Sequence, residues 1–336
     1  MVYNKPNSDC VDGIFQNTKE LYTSINHINT PCFVFAPFSS KNRTVFFPLE
    51  HSVKVSSTFS TKEITLQNKE SSDTDSKDFH MNIISKAIEA IEKNQFKKVV
   101  LSRKELVALS DFDMCEVYNR LLQTYPNAFV YVWFHPEIGL WLGATPETLL
   151  KVNNNEFNTM ALAGTQVFNQ GLSPKWAQKE IDEQLFVTDY IVRKISSFCN
   201  DIKVSEVETV KAGSLLHLKT VITAVLNTEE SSKSLFSLID LFHPTPAVCG
   251  LPKEVAKQFI LDNENYDRSY YTGYLGELNF VNQNGSETNL FVNLRCMEIV
   301  NNNAQIYIGG GITKESRVEA EWKETVAKSN VMRKVL

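Results

Sequence analysis

Residues 128–152 read "AFVYVWFHPEIGLWLGATPETLLKV". Two apolar runs, 128–135 and 139–152, flank the turn-forming "PEI", which predicts a β-hairpin rich in aromatic and β-branched residues. Further strands are read at "KKVVLSRKELVAL" (97–109), "HLKTVITAVL" (217–226), "YLGELNFV" (274–281), "TNLFVNLRCMEIV" (288–300) and "AQIYIGGGI" (304–312). Helical spacing of Met81, Ile84, Ala87, Ile88 and Ile91 marks a helix before them. Others follow at 113–126, capped by Asp113, at 173–199 with Ser173 as N-cap and Pro174 in the first turn, at "PKEVAKQFILDN" (252–263), and at 317–336. Strands in antiparallel-looking runs, without strict βαβ alternation, place the chain in the α+β class. Residues 1–66 read as irregular structure with short strands such as Cys32–Ala36 and 44–47, and the polar stretch 67–79 as a linker.

The 336 residues are 43% hydrophobic and 22% charged, an ordinary globular balance with ample chain for a core. A formal charge of −5 argues against a nucleic-acid binder and no basic run suggests a polyanion surface, so no nucleic-acid partner is expected. An anionic ligand would need a locally basic or metal-containing site. Six scattered cysteines (Cys10, Cys32, Cys115, Cys199, Cys249, Cys296), with no CxxC pair, fit neither a zinc site nor a disulfide framework. The N-terminus carries no apolar signal region and no apolar run reaches 18 residues. A cytoplasmic protein with no membrane partner is the expectation.

Several residues could carry chemistry, and each has a bland reading. In "FKKVVLSR" (96–103), Lys97 and Lys98 must point to opposite faces of a strand, so one of them is carried inward. Both faces are apolar, and periodicity does not choose between the two. Glu180 and Glu183 lie three apart on one helix, Glu321 and Glu324 on another. Two such pairs could converge on a hard divalent cation; nearby Lys179 and Lys323 favour two solvated helix faces instead. The triplet Gly309–Gly311 could bring backbone N–H groups to an anion, yet without a dinucleotide or P-loop spacing it reads as a tight turn. Arg295, on one strand face with Phe291 and Asn293, offers a fork suited to a carboxylate. His217 and His243 read as satisfied core histidines, and Glu147, after Pro146, as an exposed turn carboxylate.

Taken in order, "KKVVLSRK", "WLGATPETLLKV", "ALAGT", "KEIDEQ", "HLKT", "HPTPAVCGLP", "SYYTGYLGEL", "VNLRCMEI", "YIGGGI" and "EAEWKET" resemble successive blocks of the chorismate-utilising enzymes. The resemblance runs from about residue 80 to the C-terminus. It implies a catalytic domain over 80–336, with 1–79 as an N-terminal segment of the same fold: large antiparallel β-sheets packed together, helices outside. The lysine before "VVLSR" resembles the isochorismate and salicylate branch, Ala163 stands where aminodeoxychorismate synthases carry a nucleophilic lysine, and "HPTPAVCGLP" resembles isochorismate synthases.

The resemblance therefore implies a Mg²⁺-dependent isochorismate synthase, an isomerase serving menaquinone or siderophore biosynthesis. Salicylate synthase and a non-catalytic chorismate-binding paralogue are the alternatives. Lys98 would be the general base for water attacking C2 of chorismate, and Glu147 the acid assisting loss of the C4 hydroxyl. Glu183 and Glu324 would hold Mg²⁺, with Glu180 and Glu321 completing its shell. Arg295, Tyr271 and the amides of Gly309 and Gly311 would take the enolpyruvyl carboxylate, with Thr165 and His217 near the ring. Lys328 would add positive charge, and Ala247 and Val248 would pack on the substrate. Gln166 replaces a common arginine. No glutamine amidotransferase subunit is expected, and a monomer is.

Overall fold

Because apolar residues alternate along so much of the chain, strands dominate it. The computed structural model describes all residues except 26–29, 61–65, 67–74, 169, 171–172, 228–230 and 284. Strands β1 (Val2–Asn4), β2 (Cys10–Gln16), β3 (Cys32–Ala36), β4 (Val45–Pro48) and β5 (Ser52–Thr58) precede helix α1 (Asp75–Glu92). Then come β6 (Lys98–Ala108), α2 (Met114–Thr124), β7 (Phe129–His135), β8 (Gly139–Thr145), β9 (Thr148–Asn153), β10 (Glu156–Val167) and α3 (Gln178–Ile195). β11 (Cys199–Val204), β12 (Glu208–Ala212) and β13 (Leu215–Leu226) lead to α4 (Ser231–Phe242), β14 (Gly250–Leu251) and α5 (Lys253–Asn263). β15 (Tyr274–Asn282), β16 (Gly285–Val292), β17 (Cys296–Val300), β18 (Asn303–Ile312) and α6 (Val318–Arg333) complete the chain.

All strand pairs are antiparallel, in two nine-stranded sheets. One runs β14-β6-β18-β17-β8-β7-β1-β2-β5; the other runs β11-β13-β10-β9-β16-β15-β3-β4, with β12 also on β13. The strands of 1–58 are thus shared between both sheets. The inner faces meet through an aromatic layer: Tyr3, Phe129, Tyr131, Trp133 and Trp141 from the first sheet, Phe33, Phe35, Phe47 and Phe291 from the second. Phe129 stacks on Phe291 at 4.3 Å and Phe35 on Tyr270 at 4.2 Å. Full burial of each such ring stabilises the fold by roughly 2–3 kcal/mol. Helices α3 and α4 cover the outer face of the second sheet, and α1, α2, α5 and α6 that of the first. This is the α+β arrangement with helices outside.

Three local readings change. The helix expected from Ser173 begins at Gln178 with Ala177 as N-cap; Glu180 Oε2 accepts a hydrogen bond from Ala177 N (3.0 Å) in place of a hydroxyl cap. The linker reading falls partly on 67–74, outside the described residues, and helix α1 has begun by Asp75. Gly309–Gly311 form no turn: they lie inside β18, opposite Ser102, Leu101 and Val100 of β6.

Strand β14 reaches β6 only because Gly250 has no side chain. Its φ is +148°, and a Cβ there would overlap the Lys98 carbonyl and the Ala256 side chain. Gly250→Ala is expected to destabilise the protein by about 1–3 kcal/mol, read from urea unfolding; an unchanged midpoint would contradict this close approach.

Candidate active site

Two strands change sheets side by side, and the site lies where they do. Strand β8 belongs to the first sheet and β9 to the second, and the chain crosses at Pro146–Glu147. Likewise β16 belongs to the second sheet and β17 to the first, so the stretch read as one strand is broken at Asn293–Arg295. At a crossing the ladder ends, and buried backbone groups need other partners. The two crossings supply each other: Val292 N donates to Glu147 O (3.0 Å), Thr145 Oγ1 to Val292 O (2.6 Å), and Ala144 N to Arg295 O (3.0 Å). Arg295 sits there at φ +46°, a left-handed conformation unusual for a non-glycine residue. Glu147 and Arg295 are thereby placed at the same opening.

That opening is a cavity between the ends of the sheets. Glu147, Arg295 and Tyr271 line it together with Thr165 at the end of β10 and His217 on β13. Ala247 and Val248, in the loop after α4, line another wall, and Gly309, Gly311, Lys328 and Glu183 a third. Lys98, Glu180, Glu321 and Glu324 do not line the cavity. Lys98 is fully buried at the start of β6 while Lys97 is exposed. Its Nζ lies 2.9 Å from Glu183 Oε1, an ion pair whose angle falls short of a hydrogen bond.

Opposite electrostatic outcomes follow from local surroundings. Burial lifts the Glu147 carboxyl from the usual 4.5 to about 8, and the cations Lys98, Arg295 and Lys328 only partly oppose the rise. Burial works the same way on Glu183, but Lys98, then Lys179 and Lys328, override it and hold that carboxyl at about 2. Burial lowers the Arg295 guanidinium to about 10. His217 is kept neutral by burial and by Arg295. Its Nδ1–H donates to Gly164 O (2.8 Å), which leaves Nε2 to accept from Arg295 Nη2. The histidine is satisfied, as read, and it also orients the arginine. His243 is the plain case, donating from Nε2 to Pro37 O (2.9 Å).

The glycine triplet makes room. A Cβ on Gly309 would stand 2.8 Å from Tyr271 Oη, and one on Gly311 would collide with Glu183 Oε1. Val100 N donates to Cys249 O and Ser102 N to Glu264 Oε1, both away from β18. By antiparallel alternation, their ladder partners Gly311 and Gly309 also direct their N–H groups away from β6. Strand β17 stops pairing at Ile306, so these amides face the cavity side.

Four glutamates were expected to hold a metal. Glu321 and Glu324 project from α6 toward Gly310, where a Cβ would lie 3.8 Å from Glu321 Oε2 and from Glu324 Oε1. Glu321 Oε2 is buried without a well-aligned hydrogen-bond partner among the described residues. Burial raises the Glu321 carboxyl, Lys179 pulls it back, and Glu324 adds to the rise. Among the described residues no three acidic, histidine or cysteine side chains stand close enough to close on one ion. Instead three lysines face the carboxylates: Lys98 on Glu183, Lys179 on Glu321 (2.5 Å) and Lys328 on Glu324 (2.7 Å). Hard oxygen donors, an orphaned buried oxygen and the space over Gly310 fit a Mg²⁺ ion in chemistry.

Sequence reasoning missed three contributors. Lys179 was counted as a surface charge. Buried Arg268 donates to Val100 O (2.6 Å) and Val248 O (3.0 Å), and its partner Glu264 accepts from Ser102 N (2.7 Å) and Oγ (2.9 Å). This pair fixes β6 to the loop that lines the cavity; an acid and arginine four apart were its only signal.

Glu147 gives a stability signature. Between pH 4.5 and 8 the folded state keeps a proton that the unfolded state releases, so stability falls as pH rises, by about 1.4 kcal/mol per pH unit at most. Glu147→Gln removes that dependence. The variant's advantage in Tm over the parent is expected to grow from pH 5 to pH 8 and then level off. A constant difference would show that Glu147 titrates normally.

A sequence model of the family described as "Chorismate binding enzyme" matches residues 17–336. The vibriobactin-specific isochorismate synthase of Vibrio cholerae is 29% identical over 255 residues, covering 73% of this chain and 63% of that protein. The chain spans under two thirds of the length of this and similar relatives. Among solved structures, DhbC from Bacillus anthracis superposes with a TM-score of 0.80 at 24% identity, covering 99% of this chain and 95% of that one. MenF, the menaquinone-specific isochorismate synthase from Escherichia coli, gives 0.80 at 19% identity, covering 100% and 88%. Both likenesses concern the fold. With a family match over nearly its whole length, the chain belongs to the chorismate binding enzymes.

Proposed function

We propose that this protein is an isochorismate synthase that converts chorismate reversibly to isochorismate with Mg²⁺ bound. The observation that carries the reading is Glu147: a buried carboxyl raised to about 8, in a largely apolar cavity whose wall also carries the cations Arg295 and Lys328 and the ionised Glu183. A carboxylic acid kept protonated near neutrality is what departure of a ring hydroxyl requires. The cationic wall of Arg295 and Lys328 suits a dicarboxylate, and Ala163 lines the cavity where a lysine nucleophile would be needed for an amino transfer.

In this reading Arg295, Tyr271 and the amides of Gly309 and Gly311 hold the enolpyruvyl carboxylate. Ala247 and Val248 fix the ring by packing, with Thr165 and His217 beside it. Lys98, which stands behind Glu183 outside the cavity wall, acts in its neutral amine form, reached by giving up a proton of its ion pair with Glu183, and takes a proton from water as the water oxygen bonds to C2. The ring double bonds shift, the C4–oxygen bond breaks, and Glu147 gives its proton to the departing hydroxyl, so water enters and water leaves. Glu183 and Glu324 would hold Mg²⁺ with Glu180 and Glu321 around it; when bound, the ion would clamp and polarise the ring carboxylate. Fixing the reacting groups on opposite sides of the ring provides much of the rate gain.

Purified protein with chorismate and MgCl₂ is expected to give isochorismate by chromatography. Salicylate and pyruvate as the main early products would replace this reading with salicylate synthase, and binding without turnover would leave only a chorismate-binding protein. Lys98→Ala, or Lys98→Gln should the truncation not fold, is expected to lose about 10²- to 10⁴-fold in kcat, the scale of general base catalysis, with chorismate binding still measurable. Activity surviving exhaustive EDTA treatment would remove the metal from the proposal.

A further inference from the structure

The three lysines that face the carboxylates are not equivalent. Lys328 lines the cavity and also donates to Gly309 O (3.0 Å), so it supports β18 and faces the substrate space. Lys98 begins β6 and faces Glu183. Lys179 does neither. Among the described residues its Nζ donates one hydrogen bond, to Glu321 Oε1 at 2.5 Å, linking α3 to α6, and it is absent from the cavity wall. Both side chains are shielded, 14% and 2% exposed, so water screens the pair little. Three carboxylates, Glu324, Glu321 and Glu183, act on this one ammonium and raise its proton affinity against the cost of burial.

An ammonium surrounded in this way does electrostatically what a divalent cation does for the same oxygens. We propose that Lys179 is a built-in counter-cation that competes with the divalent ion for Glu321 and Glu324 and so sets how tightly the site holds metal. The proposal rests on reading the four glutamates as metal ligands. Four glutamates against three lysines leave one net negative charge in the cluster; without Lys179 it carries two. Two effects follow. In the absence of metal, loss of the ammonium leaves Glu321 without its ion-pair partner, and only Lys328, on Glu324, then offsets the repulsion between the two carboxylates. A divalent cation then meets one competitor fewer, with Glu321 free of its lysine, and a more negative site, and binding tightens by roughly ten-fold, the scale of a shielded ion pair.

The test is isothermal titration of MgCl₂ into the intact protein, with Lys179→Met and Lys179→Gln beside the parent. Lys179→Gln keeps a hydrogen-bond donor to Glu321 and serves where Lys179→Met does not fold. Lys323→Met, which removes an exposed charge from α6, is the control and should leave the Mg²⁺ Kd within two-fold. Both Lys179 variants are expected to bind Mg²⁺ about ten-fold more tightly. They should also have a lower Tm than the parent in EDTA, and a larger rise in Tm when Mg²⁺ is added. An unchanged or weaker Kd, with Tm lowered equally in EDTA and in Mg²⁺, would make Lys179 a helix-to-helix staple and overturn the proposal. No Mg²⁺ uptake by the parent or either variant would overturn it together with the four-glutamate reading, a distinguishable result.

Discussion

The constraint on which this site depends is that two strands must leave one sheet for the other at the same place. An aromatic layer holds the sheets apart, and no strand can pass across it while keeping its ladder. At each crossing some buried N–H and C=O groups lose their strand partners. Here the crossings lie together, and Val292, Thr145, Glu147, Ala144 and Arg295 satisfy one another's backbone. The arrangement leaves a gap bordered by two residues whose side chains no longer belong to a sheet face, one acidic and one basic. The left-handed backbone at Arg295 is held by that mutual bonding.

From the same gap comes the division of labour among the acids. Glu147 and Glu183 both line one cavity and both are desolvated, yet one is raised to about 8 and the other held at about 2. The difference is the distance to lysine. Glu183 faces Lys98 directly, whereas Glu147 feels cations only across the cavity. Pairs of carboxyls driven apart by their surroundings are how a protein sets a proton donor beside a fixed anion at one pH. The glycines of β18 permit it, since any side chain at Gly311 would displace Glu183 from the lysine.

How much of this was legible in the sequence follows from what each signal measures. The strand periods of β6, β7, β8, β13 and β15 and the Asp113 cap were readable because they are local; Asp113 Oδ1 accepts from Cys115 N and Glu116 N as its sequence position implied. The crossings were not readable, because apolar residues continue through Pro146 and Arg295 and periodicity does not report which sheet a residue pairs in. The triplet was misread as a turn since glycine signals flexibility in general and here supplies space. Periodicity could not choose Lys98 over Lys97; the family blocks could, and burial agrees with them. Of the residues at the cavity, Glu147, Glu183, His217, Arg295, Gly309 and Gly311 stand out by residue type or spacing, each with a bland reading, whereas Thr165, Ala247, Val248, Tyr271 and Lys328 came from the blocks alone.

Lys179 marks the limit of reasoning by helix face. On its own helix it is one residue before Glu180 and reads as part of a solvated, charge-balanced surface. Its meaning lies in α6, 142 residues away, where it meets a carboxylate that burial would otherwise leave without a counter-charge. A buried acid must be neutralised by a proton, a cation or a side chain. In the proposed metal site, side chain and metal ion are alternatives for the Glu321 carboxylate, so Lys179 would be the group a metal must displace. On that proposal, stability without metal and affinity for it would be opposed at this one position.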